Sequence, residues 1–421
     1  MKQETIAIHA GYEGDKSSKS VTVPLNQTAA YEFDNAQHAA DLFNLEIEGN
    51  IYTRLSNPTT DVLEKRVAAL EGGTAALAVS SGAAALHYAI LTLFSPGKNI
   101  ISVPNLYGGT YTLFAHVFPQ QGLDVRFAKN DSVEEMEKLI DENTIALYCE
   151  SIGNPAGNIV DIEALADLAH LHECPLLVDN TVATPIIIRP IDYGADIVVH
   201  SLTKYMGGHG NSLGGVIVES GKFPWTDNDK FPGFNEPEVS YHGVVYAKDM
   251  GDKAFIARAR TVPLRNTGSA LSPMNAFLIL QGIETLSLRM ERHCDNAMAV
   301  AEYLHKHPAI AWVNYGGLAH SSYYELAKKY CDGKPSSLLS FGIKNGIESG
   351  IKFYDKLELI KRVTNIGDVR SLATHPASTT HRQLSDEERR AAGVTDDMIR
   401  LSVGIEHIDD ILADIEQALE E

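Results

Sequence analysis

Cysteine is scarce in this chain and follows no pattern. Four residues, Cys149, Cys174, Cys294 and Cys331, are spread through 421 positions without a Cys-x-x-Cys pair. That spacing argues against both a disulfide framework and structural zinc, and it predicts a reducing, cytoplasmic setting. Basic blocks are missing as well. The chain has 35 Lys and Arg against 55 Asp and Glu, a formal charge of −20. Nucleic acid and anionic membrane surfaces are therefore poor partners. No apolar run approaches the length of a bilayer span, and the polar start Met1 to Thr5 predicts no secretory signal. No internal repeat or low-complexity segment occurs. With 44% hydrophobic residues, the chain can bury a large core divided over two or three domains.

What is present is organised around the stretch from Gly194 to Gly215. Ile197 to Val199 is a short, uncharged, β-branched run that predicts a buried strand. It leads into Ser201, Leu202, Thr203 and Lys204, and Lys204 is the one Lys or Arg between Arg189 and Lys222. A lysine in that position reads either as a surface-loop residue or as a partly dry amine. Desolvation lowers an amine pKa and makes it a nucleophile or Schiff-base former.

Upstream, strand, turn and helix alternate. Strands are expected at Ala75 to Val79, Asn99 to Val103, Thr144 to Cys149 and Leu176 to Val178, with helices at Ala84 to Phe94, up to Val117, and at Ile162 to His172. This alternation predicts an α/β fold with a mainly parallel sheet. Ligands bind such sheets beyond the carboxyl ends of the strands. Ser81-Gly82-Ala83, Tyr107, Asn154, Asp179 and Lys204 all fall at those ends.

Each of these residues has a chemical use and a plainer one. Gly82 and Ala83 open a helix whose free N–H groups favour a phosphate, although a simple N-cap explains them too. Ser201 and Thr203 offer hydroxyls to the same phosphate, or merely form the turn. Asp179 ends a buried strand and needs a cation or hydrogen bonds to stay ionised. Tyr107 can lie flat on an aromatic ring or cap the sheet. Gly208-His-Gly210 is a weak nucleotide loop, because no helix opens after it.

The chain divides into residues 1–60, irregular and ending in Tyr52, Arg54 and the turn Asn57-Pro58; residues 61–266, the large α/β domain; and residues 267–421, a smaller α+β domain. Residues 1–60 read as an arm docking on a neighbouring subunit or as the capped approach to a helix from Thr60 to Leu70. Gly221 to Gly251 lacks periodicity and predicts a long loop. The C-terminal part predicts one helical stretch from Met274 to His305. Strands are expected at Ala309 to Val313, Ser337 to Ile343, Leu359 to Thr364 and Ile399 to Val403, and an amphipathic helix from Ile408 to Leu419. Arg400, on the last strand, can clamp a carboxylate bidentately or serve as an ordinary surface arginine.

Taken together, Tyr52-Thr-Arg54 with Asn57-Pro-Thr59, Ser80-Ser-Gly82, Tyr107-Gly108, Val178-Asp179-Asn180-Thr181, Ser201-Leu-Thr-Lys204 and Arg400-Leu-Ser-Val-Gly404 resemble the Cys/Met-metabolism family of pyridoxal-phosphate enzymes, the cystathionine synthases and lyases. The likeness spans nearly the whole chain. It implies pyridoxal 5′-phosphate as cofactor, a fold type I architecture, Lys204 as the Schiff-base lysine and Asp179 opposite the pyridinium nitrogen. It also implies Tyr107 against the ring and Asn154 beside the 3-hydroxyl. Gly82, Ala83, Ser201 and Thr203 would take the phosphate, with Tyr52 and Arg54 reaching in from another subunit of a homo-oligomer, expected to be a tetramer. Arg400 and Ser340 would take the substrate carboxylate.

Within the family, Gly207-Gly-His-Gly-Asn-Ser212, Pro232-Gly-Phe-Asn-Glu-Pro237 with Ser240-Tyr-His-Gly243, and Gln281 to His293 look most like O-acetylhomoserine sulfhydrylases. Gly109 stands where methionine γ-lyases carry a cysteine. Ala83, Ala84 and Leu202 differ from the residues common in relatives. The resemblance implies γ-replacement on O-acetyl-L-homoserine by sulfide or methanethiol, with methionine γ-lyase and cystathionine γ-synthase as the alternatives on the same frame.

Overall fold

A computed structural model describes residues 1–15, 17–44, 46–379, 382 and 393–420. Two sheets organise the chain. The first holds seven strands in the order β1-β7-β6-β5-β4-β2-β3. They are Ala75–Val79 (β1), Asn99–Ser102 (β2), Asp124–Phe127 (β3), Thr144–Glu150 (β4), Leu176–Asp179 (β5), Ile197–Ser201 (β6) and Gly215–Glu219 (β7). Strands β2 to β6 pair in parallel, whereas β7 runs antiparallel between β1 and β6. All seven residues of β4 are buried. A strand covered on both faces by helices cannot alternate polar and apolar residues, which explains the continuous Ile145 to Cys149 run.

The second sheet has the order β10-β11-β12-β9-β8. Its strands are Ile310–Asn314 (β8), Leu338–Ile343 (β9), Lys361–Arg362 (β10), Leu372–Thr374 (β11) and Met398–Ser402 (β12). Leu339, Phe341, Phe353, Ile399, Leu401, Ile411 and Ile415 form its separate core. The helix Ile408–Leu419 packs there with the bounds its amphipathic pattern predicts. The helix Leu286–Lys306 serves both cores, giving Met290 to the first and Val300 and Leu304 to the second.

Several elements differ from the sequence expectation. The stretch from Met274 to His305 is two helices, Pro273–Glu284 and Leu286–Lys306, interrupted at Thr285. At the break the Gly282 carbonyl is taken by the Arg289 guanidinium at 2.6 Å. The strand expected at Leu359 to Thr364 shrinks to Lys361–Arg362, because the chain then leaves the sheet edge. Gly367 N–H donates to Ser402 Oγ (2.9 Å), and Val369 N–H to the Gly208 carbonyl (2.8 Å). The first 60 residues contain two helices, Gln3–His9 and Ala36–Phe43, each too short to show a clear period. Asn57 caps the helix Pro58–Glu71 by accepting from Thr59 N–H at 2.9 Å, as the turn reading predicts.

The region Gly221 to Gly251 is not an open loop. Phe223, Trp225, Phe231 and Phe234 are buried, with Trp225 stacked on Phe234 at 4.3 Å between ring centroids. Burying an aromatic side chain of this size stabilises by about 2–3 kcal/mol, enough to fix a segment that lacks regular structure. All four cysteines are free and buried. Burial pushes the Cys294 thiol up to about 12, and it raises Cys149, Cys174 and Cys331 as well. Among the described residues no helix is long and apolar enough to cross a membrane, and no group of acidic, His or Cys side chains could hold a metal.

Candidate active site

Strand register brings the site together. Glu150 at the end of β4 lies opposite Asp179 at the end of β5, and Asp179 lies opposite Val199 on β6. From Asp179 a chain of contacts runs both ways. Its Oδ1 accepts from Thr181 N–H at 2.9 Å, and Thr181 Oγ1 accepts from Ser201 N–H at 2.8 Å. Ser201 in turn packs against Gly82, where an added Cβ would lie 2.6 Å from Ser201 Cβ. Glycine is required there by close approach. Gly82 opens the helix Gly82–Leu93, and the Ser81 hydroxyl caps it by accepting from Ala84 N–H at 3.1 Å.

On the other side, Glu150 accepts the N–H groups of Tyr107 (2.6 Å) and Asn154 (3.2 Å). The Asn154 side-chain oxygen accepts from Arg400 Nη1 at 3.1 Å. Arg400 Nη2 donates to the carbonyls of Thr364 (2.8 Å) and Asn365 (3.1 Å) and to Thr374 Oγ1 (3.0 Å). Asn365 then accepts from Lys204 Nζ through its side chain at 2.5 Å. Lys204, Asn365, Arg400, Asn154, Glu150 and Tyr107 thus form one connected group, with Asp179 beside Glu150.

The electrostatics follow from burial. Desolvation, with the nearby Arg400 charge second, lowers the Lys204 amine to about 8. Arg400 is 6% exposed, and burial brings its guanidinium down to about 10. Asp179 is raised by burial, while Thr181 hydrogen bonds and His200 pull it back. Beneath Asp179, His200 shares Glu71 Oε1 (2.6 Å) with Asn180 Nδ2 (2.9 Å), which stiffens the strand ends.

Four expected site residues sit differently from their neighbours. Thr203 spends its hydroxyl on Gly214, accepting from its N–H at 3.0 Å and facing its carbonyl at 3.3 Å. Ser340 pairs with Arg400 across β9 and β12, and its buried Oγ has no partner. Tyr52 and Arg54 stack on each other at 5.0 Å and line a separate 440 Å³ cleft with Gly268 to Pro273. Lys204 is not among the residues that line it.

Sequence reasoning missed Glu150, Asn365 and Arg289. Arg289 donates to the carbonyls of Tyr205 (2.7 Å) and Met206 (3.3 Å), so it grips the turn just after Lys204. Gly208 makes room for it: with φ +73°, an added Cβ would lie 2.3 Å from Arg289 Nη1. The glycines after Lys204 therefore serve tight packing rather than a nucleotide.

Comparison with known proteins identifies the family. The family model for Cys/Met metabolism PLP-dependent enzymes matches residues 4–420. The chain belongs to this family. The O-acetyl-L-homoserine sulfhydrylase of Leptospira meyeri is 51% identical, over 99% of this chain and 96% of its own. The homocysteine synthase of Schizosaccharomyces pombe is also 51% identical, over 99% and 98%. A crystal structure of a putative O-acetylhomoserine (thiol)-lyase from Campylobacter jejuni, described as holding a pyridoxyl-lysine monophosphate, superposes with a TM-score of 0.97. It is 44% identical over the full length of both chains.

The residues present fit the cofactor of this PLP-dependent family. Asp179 has no Lys, Arg or His within ion-pair distance among the described residues, so a cationic ring nitrogen would complete it. The buried Arg400 Nε and Ser340 Oγ are likewise without partners. A first side-chain carbon at Gly109 would lie 2.6 Å from the Tyr107 ring, so the ring would have to shift to admit one.

Proposed function

We propose that this chain transfers the aminocarboxypropyl group of O-acetyl-L-homoserine to sulfide, giving L-homocysteine and acetate. The observation that carries the proposal is the Lys204 amine, held near neutrality at the end of β6 and joined through Asn365 to the buried Arg400. The names of the Leptospira and Schizosaccharomyces relatives support the same substrate and product.

Pyridoxal 5′-phosphate, when bound, supplies the electron sink for charge developing on the substrate carbons. Asp179 would face its ring nitrogen, Tyr107 its ring and Asn154 its 3-hydroxyl. Gly82, Ala83, Ser201 and Thr203 would hold its phosphate. Arg400, with Ser340 beside it, binds the substrate carboxylate and fixes the Cα–H bond relative to Lys204. Lys204 then acts as general base, taking a proton from Cα and another from Cβ and returning them later. Acetate leaves Cγ with the bonding electron pair, and sulfide adds there. No net oxidation or reduction occurs. Methanethiol in place of sulfide would give methionine.

Purified protein supplied with O-acetylhomoserine should release acetate and form homocysteine with sulfide present. Without it, acetate release should fall by at least about tenfold. Acetate with ammonia and 2-oxobutanoate at the same rate in both cases would instead assign elimination, as in a methionine γ-lyase. Reaction with cysteine in place of sulfide would assign a cystathionine γ-synthase.

We also infer a cytoplasmic homo-oligomer, a tetramer built from two dimers, with each chain divided as residues 1–60, 61–266 and 267–421. Tyr52 and Arg54 would reach into a neighbour's phosphate site. Lys204 is not among the residues that line their cleft, which favours that arrangement. Mixing Arg54→Ala with Lys204→Ala subunits should restore up to about one quarter of the wild-type activity, since random pairing leaves half the dimers hybrid with one sound site each. No recovery after verified exchange would show that each subunit completes its own site.

A further inference from the structure

Glu150 has no role in the reaction described so far, yet it is 4% exposed at the end of β4. Each carboxylate oxygen accepts one backbone N–H, Oε1 from Tyr107 and Oε2 from Asn154. Those two residues sit on different loops, one after β2 and one after β4. No Lys, Arg or His pairs with Glu150 among the described residues, and its closest charged neighbour on the adjoining strand is the acid Asp179. An acid buried beside another acid is costly unless its hydrogen bonds matter. A glutamine could not replace it freely, because its NH₂ would face one of the two N–H donors.

We propose that Glu150 is a positioning residue whose two oxygens clasp the Tyr107 and Asn154 loops at one height and so set the ring and amide over the cofactor site. The inference rests on the pyridoxal-phosphate reading above. Tyr107 needs such a clasp because the residue is 53% exposed, so little packing holds it. Asn154 needs it because its side chain already accepts from Arg400. One carboxylate therefore links the residue facing the ring to the residue that steadies the carboxylate-binding arginine.

The test is the dissociation constant of pyridoxal 5′-phosphate for apo-protein, with a melting curve as control. Glu150→Gln should raise that constant by roughly fivefold or more, the range for leaving one buried N–H without an acceptor, while Tm stays within a few degrees. In a Tyr107→Ala background the same change should matter less than about threefold, since the ring to be placed is gone. An ordinary structural anchor would lower Tm and give equal effects in both backgrounds. Should Glu150→Gln fail to fold, Glu150→Asp serves the same comparison, keeping the carboxyl group but reaching one N–H instead of two. Equal effects in the two backgrounds, or an unchanged constant, would overturn the inference. Wild-type protein that binds the cofactor on Lys204 would leave the reading of the site intact in that case. Wild-type protein that does not bind it would overturn both.

Discussion

Apo-protein treated with pyridoxal 5′-phosphate and borohydride should yield one pyridoxyl peptide, containing Lys204, and Lys204→Ala protein should yield none. Lys204 is half-buried, meets the neutral Asn365 oxygen rather than a carboxylate, and lies near the Arg400 charge. Each of these conditions favours the neutral amine. At pH 8 about half of Lys204 should be uncharged, against roughly one part in 300 for an ordinary lysine. Adduct formation should therefore rise through pH 8 rather than above pH 10. The sign for stability is the same. Folding lowers the proton affinity of this amine, so the apo-protein gains stability as pH rises from about 8 to 10.5, and the burial penalty is full below that window. For turnover, Lys204→Ala should cost about 10²- to 10⁴-fold from lost proton transfer alone. A pyridoxyl group found on another lysine would remove Lys204 from this role.

Arg400→Lys should leave the fold and the bound cofactor in place while kcat/KM for O-acetylhomoserine falls by about 2–5 kcal/mol, or roughly 30- to several-thousand-fold. The guanidinium makes four hydrogen bonds to Asn154, Thr364, Asn365 and Thr374, which orient it, and its Nε remains for a ligand. A lysine cannot reproduce that fork. Amines without a carboxylate should be nearly indifferent to the change. Equal loss for all substrates, together with a lower melting temperature, would mark Arg400 as a joint between the two sheets instead.

The residues legible in the sequence were those whose type is unusual for their place. Lys204 is a lone cation after a buried strand, Asp179 a charge ending one, and Arg400 an arginine on an apolar strand. Glu150 was not legible, because an acid after Tyr148 and Cys149 reads as the first residue of a turn, and only register with β5 places it beside Asp179. Arg289 lies in a charged helical run that reads as a solvated face, yet it is buried by the turn it holds. Asn365 is 161 residues from Lys204. Among elements, β7 was missed because Gly215 to Glu219 follows a glycine-rich loop, and its antiparallel direction depends on pairing with β1 and β6. The parallel core was legible because its strands are apolar throughout and its turns are polar.

The burial of all four cysteines has a chemical consequence for a chain proposed to handle sulfide. A thiol held near 12 is ionised to roughly one part in 10⁵ at pH 7, and exchange with disulfides or polysulfides begins from the thiolate. Buried in the fold, these sulfurs are kept from the incoming nucleophile and from oxidised sulfur formed from it. Burial thus disfavours mixed disulfides and persulfides on the protein's own thiols. The sulfur that passes through its site ends on carbon, never on the enzyme.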